Sequence, residues 1–112
     1  MGMQFSAVGN ITKVELDGRL DSANVDRMET LFAANLVPAG KSAIVDLSQV
    51  VFLASLGIRM LISTARALSR SGAKLALFGA IAPVMDVIET TALNEIVPVV
   101  RTESEAIALV ST

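Results

Sequence analysis

The sequence predicts a single α/β domain in which about four helices pack on a mixed sheet of about five strands. Its 112 residues fit one domain and allow a self-standing core. Apolar residues make up 53% of the chain and charged residues 18%, a balance typical of a small domain with a buried sheet. Short apolar runs alternate with segments of helical periodicity, which favours helices packed on a sheet. Residues 1–112 are therefore expected to form one domain without a linker or repeat.

The chain is expected to begin with a β-hairpin. Two β-prone runs, residues 5–8 and residues 11–16, flank Gly9 and Asn10, a pair suited to a tight turn. The Asp-Gly pair at residues 17–18 is expected to end the second strand.

A first helix is predicted from about residue 23 to residue 36. Asp21 or Ser22 is expected to cap its N-terminus, because both side chains can accept a hydrogen bond from the first turn. The apolar side chains that recur at helical spacing are Val25, Met28, Phe32 and Leu36.

The segment from residue 43 to residue 58 contains the feature of most interest. Residues 43–47 form a continuous apolar run with one acid, Asp46, a pattern expected of a central strand covered on both faces. The Asp46 carboxylate is expected to bind backbone donors in a neighbouring loop. A second apolar run, residues 50–54, ends at Ser55, where helical periodicity begins. The Ser55 hydroxyl is therefore expected near the surface at a helix N-terminus, either as an ordinary N-cap or where added negative charge is favoured.

The remaining elements follow from the same patterns. The second helix is predicted to end before Gly72, and residues 74–78 to form another strand, which gives a right-handed parallel crossover. Pro83 suits the first turn of a third helix. A last strand is predicted over residues 96–100, and Pro98 indicates that it lies at a sheet edge. A last helix is predicted over Glu103–Val110.

Composition excludes several classes of function. The net charge is −2 with no run of Lys or Arg, so neither nucleic acid nor an anionic membrane is an expected partner. The chain has no cysteine and no visible signal peptide, which favours a reducing cytoplasm. The longest apolar stretch, residues 75–85, is interrupted by Gly79 and Pro83 and is too short to cross a bilayer.

The residues also argue against enzymatic activity. The segment 55–57, Ser-Leu-Gly, is half of a nucleophile elbow, but Leu53 replaces its first glycine and the chain has no histidine for a Ser-His-Asp relay. Without His or Cys, and without a calcium-loop spacing of acids, no metal site is expected. No glycine pattern indicates a nucleotide, so no cofactor is expected either.

Three motifs resemble those of a known family. Residues 46–58, DLSQVVFLASLGI, resemble the signature of the STAS domain in bacterial anti-sigma factor antagonists. Residues 17–21, DGRLD, are similar to the Gly-x-Leu-Asp of that family. Residues 91–94 and 97–99 are similar to its closing Thr-Gly-Leu-Asp and Phe-Pro-Ile. The resemblance covers nearly the whole chain in the same order of elements, and it implies a STAS-like fold.

The resemblance implies a partner switch. In this family the unphosphorylated antagonist binds a serine kinase that doubles as an anti-sigma factor, and so releases the sigma factor. The kinase then phosphorylates the serine, the complex separates, and a serine phosphatase restores the first state. By position, Ser55 is the phosphate acceptor and Asp21 the acid beside it. A protein that must pair with another is expected to be a monomer.

Two residues beside Ser55 depart from the family pattern. Ala54 stands where an acid is common, and Leu56 where Ser or Ala is common. The missing acid removes a negative charge that a kinase could read. Gly57 is expected to allow either close helix packing or close approach of a partner, and Arg59 either to be solvated or to touch that partner. The alternative is a STAS interaction or ligand-binding module, such as a transporter-associated subunit, in which Ser55 is never modified.

Overall fold

A computed structural model describes residues 2–111 as a five-stranded mixed sheet with four α-helices and one short 3₁₀-helix. The sheet order is β1-β2-β3-β4-β5, with β1 antiparallel to β2 and every other pair parallel. This confirms the predicted α/β architecture and its N-terminal hairpin. In chain order the elements are β1 (Met3–Val8), β2 (Ile11–Leu20), α1 (Ser22–Leu36), β3 (Ala43–Leu53), α2 (Ser55–Arg70), β4 (Leu75–Phe78), α3 (Ala82–Thr90), the 3₁₀-helix (Leu93–Glu95), β5 (Val99–Val100) and α4 (Glu103–Val110).

The strand β2 is longer than the sequence predicts. Gly9 adopts φ +62° in the hairpin turn, as expected, but the Asp-Gly pair at residues 17–18 does not end the strand. Gly18 takes φ +85°, and the register against β3 shifts on each side of this pair. An irregularity of this kind kinks a strand without stopping its pairing. β2 therefore continues to Leu20 and delivers Asp21 to the carboxyl edge of the sheet.

Helices cover the two faces of the sheet unequally. The larger apolar core lies between one face and the buried side chains of α1, α2 and α3, including Phe32, Met60 and Ile88. On the other face, Ala106 and Val110 of α4 pack on a smaller cluster. That cluster contains Ile44 but no residue of the second half of β3, so this half has no helix above it on the α4 face.

The parallel strands end at different heights, which shapes the carboxyl edge of the sheet. β4 pairs with residues 43–46 of β3 only, whereas β2 follows β3 to the end, with Leu20 opposite Leu53. The two runs expected at residues 43–47 and 50–54 therefore form one strand. α1 begins immediately after β2 and α2 immediately after β3, so their N-termini lie side by side.

The segment after α3 differs from the predicted strand at residues 96–100. Only Val99–Val100 pair, as the edge strand β5, because a 3₁₀-helix and Pro98 occupy the residues before them. The edge position agrees with the prediction, and the Pro98 carbonyl accepts a hydrogen bond from the Leu77 N–H at 2.9 Å. The turn from α3 passes through Ala92 in the left-handed region, with φ 58°.

Replacing Ala92 with Gly is expected to raise the free energy of unfolding by about 0.5 to 1 kcal/mol, because a side chain in the left-handed region is strained and glycine is not. The measurement is urea denaturation. The control is Ala34→Gly at an exposed position inside α1, where glycine should lower the free energy of unfolding by about 1 kcal/mol. Equal losses of stability in both variants would contradict the prediction.

Candidate functional site

Ser55 is the first residue of α2 and is exposed. The N-cap position belongs to Ala54, so the reading of Ser55 as an ordinary N-cap is wrong. The Ala54 N–H donates to the Leu20 carbonyl at 2.9 Å, and this bond fixes the junction to β2. The first helical bond of α2 runs from the Ile58 N–H to the Ala54 carbonyl, at 3.1 Å.

The N-terminus of α2 has no side-chain cap and no acidic residue in its first turn. The N–H groups of Ser55, Leu56 and Gly57 precede the first helical bond and so have no acceptor within the helix. By contrast, Asp21 caps α1 through the Asn24 N–H at 3.2 Å. Uncapped N–H groups and the positive end of the helix dipole both favour a negative group at this position.

Gly57 is buried against the ends of β2 and β3. A Cβ atom at this position would lie 2.8 Å from the Leu20 Cβ, 2.9 Å from the Leu20 carbonyl oxygen and 3.0 Å from the Leu53 Cδ1. Of the two roles that the sequence left open, close helix packing is therefore the one that the geometry supports. The glycine sets the height of Ser55 above the sheet.

Asp21 is held in two ways at the same edge. One carboxylate oxygen accepts the Asn24 N–H and thus confirms Asp21 as the cap of α1. The other oxygen accepts from Arg19 Nε at 3.1 Å. The Arg19 hydrogen bond is the main cause that holds the pKa of the Asp21 carboxyl below its ordinary value. The carboxylate is therefore ionised at neutral pH.

Strand register brings Asp21 next to the α2 N-terminus. Arg19 pairs with Phe52 and Leu20 with Leu53, so the next residues, Asp21 and Ala54, lie at the same level. Neighbouring strands are about 4.8 Å apart. Asp21 and Ala54, each the first residue after its strand, therefore follow paired positions at this edge.

Arg19 and Phe52 belong to this site although sequence analysis did not identify either. The Arg19 guanidinium lies 4.2 Å from the centre of the Phe52 ring. The pairing depends on strand register, for which the sequence carries no direct signal. Arg19 thus contacts both an acid and an aromatic ring at the carboxyl edge.

An apolar surface lies near the end of β3, before Ser55 in the chain. Val51 is 58% exposed and Phe52 40% exposed. Leu56 is half-buried and packs at the margin of the core, whereas Arg59 is exposed on the first turns of α2. The residues expected around Ser55 lie at the N-termini of α1 and α2, and β3, which precedes α2, carries exposed apolar side chains.

Asp46 serves the fold. Its Oδ1 atom accepts a hydrogen bond from the Ser48 N–H at 2.9 Å. The backbone donor thus belongs to the same strand, whereas the sequence predicted a donor in a neighbouring loop. The same oxygen approaches Gly79, whose missing Cβ would lie 3.3 Å away. Asp46 therefore fixes the chain around the end of β4.

Among residues 2–111, no three acidic, histidine or cysteine side chains converge on a point that could hold a metal ion. No helix in that range is long and apolar enough to cross a membrane. What the edge does offer is an exposed hydroxyl beside uncapped backbone N–H groups.

The family model of the STAS domain matches residues 3–106. No curated protein matches the sequence. Solved structures of three proteins share the fold at low sequence identity. A candidate anti-sigma factor antagonist from Thermotoga maritima superposes with a TM-score of 0.89 at 21% identity, over 98% of this chain and 95% of that chain.

The second structure is the anti-sigma factor antagonist SpoIIAA in its unphosphorylated form, with a TM-score of 0.80 at 21% identity over 98% of this chain and 96% of that chain. SpoIIAA from Bacillus in the phosphorylated form superposes with a TM-score of 0.70 at 20% identity, over 97% of this chain and 99% of that chain. The third protein is the murine anion transporter Slc26a9, whose structure superposes with a TM-score of 0.79 at 19% identity, over 95% of this chain but 18% of that chain.

Proposed function

The chain belongs to the STAS domain family, and we propose that it acts as an anti-sigma factor antagonist controlled by phosphorylation. The unphosphorylated form binds an anti-sigma factor serine kinase and thereby releases the sigma factor. Phosphorylation of Ser55 breaks this complex, and a serine phosphatase reverses the modification. The chain acts as a monomer in the cytoplasm and carries out no catalysis of its own.

The observation that carries the proposal is the exposed Ser55 hydroxyl at the uncapped N-terminus of α2. A phosphoryl group adds about −1.5 to −2 charges and three acceptor oxygens. The N–H groups of Leu56 and Gly57 and the helix dipole stabilise that charge where it forms. The fold should therefore tolerate the modification.

The complex should not tolerate it, because the apolar side chains beside Ser55 would lie against the kinase. Val51 and Phe52 present an apolar surface on the end of β3 that leads to Ser55. Docking of such a surface removes water from the interface. A doubly charged phosphate that is buried there without a partner has a large unfavourable desolvation free energy. One local charge thus separates the two proteins while the domain stays folded.

Ala54 changes the charge that a kinase reads but keeps the acceptor position intact. Its N–H anchors the junction to Leu20, a backbone contact that does not depend on the side chain. α2 has no acid in its first turn, and Asp21 follows Leu20, the strand partner of Leu53. We propose that kinase recognition at this edge uses Asp21 where other family members offer the acid before the serine.

Incubation with the cognate kinase and ATP is expected to place one phosphate on Ser55, located by mass spectrometry of peptides. Ser55→Ala should accept none. Ser48→Ala removes another exposed hydroxyl on β3 and should be phosphorylated like the unmodified sequence. Phosphate that appears on Ser48 but not on Ser55, or no phosphate with kinase binding undiminished in Ser55→Asp, would refute the switch.

A second candidate function is a STAS interaction or ligand-binding module without phosphorylation, for example a transporter-associated subunit. Two observations favour it: Ala54 replaces the acid, and a cavity of about 630 Å³ opens between α3 and β5. The size lies within the usual range of small-molecule sites. Lipid or nucleotide carried through purification, detected by mass spectrometry of the denatured protein, would favour this function.

A further inference from the structure

We propose that Arg19 binds the phosphoryl group on Ser55, moving from Asp21 to do so. The inference rests on the proposed phosphorylation of Ser55 and adds a phosphate ligand that no sequence motif indicated. Three features of the carboxyl edge support it: the position of Arg19 in the strand register, the weakness of its present contacts and the independence of the α1 cap.

The side chain of Arg19 is already directed toward the carboxyl edge of the sheet, where Ser55 begins α2. Its strand partner is Phe52, three residues before Ser55, and its side chain bends toward the carboxyl edge to reach Asp21. Asp21 itself lies level with Ala54, the residue before Ser55. The guanidinium stands at the end of a four-torsion side chain, so it can turn from Asp21 toward Ser55 without a change in the backbone.

The present contacts of Arg19 are easily given up. The Arg19 side chain is 56% exposed, and its ion pair with Asp21 runs through a single nitrogen at 3.1 Å. Exposed pairs of this kind contribute little to stability. A phosphate carries up to twice the charge of a carboxylate and accepts the planar guanidinium through two hydrogen bonds. The phosphate is the stronger partner.

The departure of Arg19 leaves α1 capped. The cap uses Asp21 Oδ1, whereas Arg19 binds Oδ2, so the two contacts are separate. The Asn24 side chain also keeps its own bond to the Arg19 carbonyl, at 2.9 Å, which holds the backbone while the side chain moves. The same departure exposes the face of the Phe52 ring that Arg19 now covers.

Arg59 is the competing cation at this edge. It is exposed on α2, four residues after Ser55, and helical side chains lean toward the N-terminus of their helix. Unlike Arg19, it is not held toward the carboxyl edge by an ion pair with Asp21. It provides the matched control, since its replacement removes the same charge from the first turns of α2.

The test uses the chain with phosphoserine incorporated at position 55 during translation, so that no kinase is needed. The second ionisation of the phosphate is followed by ³¹P NMR at low salt in the unchanged background, in Arg19→Gln and in Arg59→Gln. A guanidinium bound to the dianion lowers the pKa of the phosphate, and the expected rise on Arg19→Gln is about 0.5 to 1 unit. Arg59→Gln should change the pKa by less than half as much.

An unchanged phosphate pKa in Arg19→Gln would overturn the proposal, as would a larger rise in Arg59→Gln. Circular dichroism of each variant establishes that it is folded, and Arg19→Lys should keep only part of the shift because an ammonium cannot bind in two-pronged fashion. Because the phosphate is installed directly, failure here says nothing about whether a kinase modifies Ser55. Conversely, an unmodified Ser55 in the kinase experiment would refute the proposed function without altering this pKa.

Discussion

Replacing Ser55 with Asp is expected to weaken binding of the chain to its anti-sigma factor kinase by more than a hundredfold. The carboxylate would lie at the N-terminus of α2, where backbone N–H groups stabilise it in the free protein. In the complex the same charge would lie beside Val51 and Phe52 in a dry interface. A loss of about 3 kcal/mol in binding free energy corresponds to slightly more than a hundredfold in Kd.

Isothermal titration with the kinase measures this loss, and Ser55→Ala serves as the control of matched size. The alanine variant should bind as tightly as the unmodified chain, because it removes the acceptor without adding charge. Thermal unfolding of Ser55→Asp should show a melting temperature at or above that of the unmodified chain. Equal affinities of the Asp and Ala variants would contradict the prediction.

Replacing Gly57 with Val is expected to lower the free energy of unfolding by about 3 kcal/mol, at the upper end of typical overpacking costs. The first added atom would lie 2.9 Å from the Leu20 carbonyl oxygen, which is backbone and cannot rotate away. Relief requires α2 to lift from the ends of β2 and β3. That shift would also displace Ser55 from the edge.

Urea denaturation measures the loss, and Ser63→Val provides the control. Ser63 is exposed on the same helix, so valine there reports only its lower helix propensity, at most a few tenths of a kcal/mol. A Gly57→Val variant as stable as Ser63→Val would show that Gly57 has no packing role. Kinase affinity of the Gly57 variant, measured where it remains folded, should fall as well.

The junction between β3 and α2 was predictable because hydrophobic periodicity changes there within one residue. The alternation of apolar runs and helical segments likewise predicted four helices and a sheet, and Gly9 with Asn10 marked the hairpin. The extension of β2 past Gly18 was not predictable, because pairing with β3 overrides the local preference of an Asp-Gly pair to end a strand.

The sequence predicted the site residues that follow one another in the chain, but it did not predict the contact between side chains of neighbouring strands. Residues 54–57 lie within the motif that carries the family resemblance, and Arg59 follows it on the same helix. The contact between Arg19 and Phe52 depends on strand register, which local propensity does not determine. Of the two readings that the sequence allowed for Ser55, the N-cap is wrong: serine is the stronger N-cap residue, yet Ala54 occupies the position and bonds to Leu20 through its backbone.

Release of sigma factor from its complex with the kinase tests the central claim most directly. A preformed complex is titrated with the unmodified chain and, separately, with the chain that carries phosphoserine at position 55, and free sigma factor is measured by size-exclusion chromatography. The account predicts release by the unmodified chain and none by the phosphorylated chain at the same concentration. Equal release by both forms, or no release by the unmodified form, would contradict it.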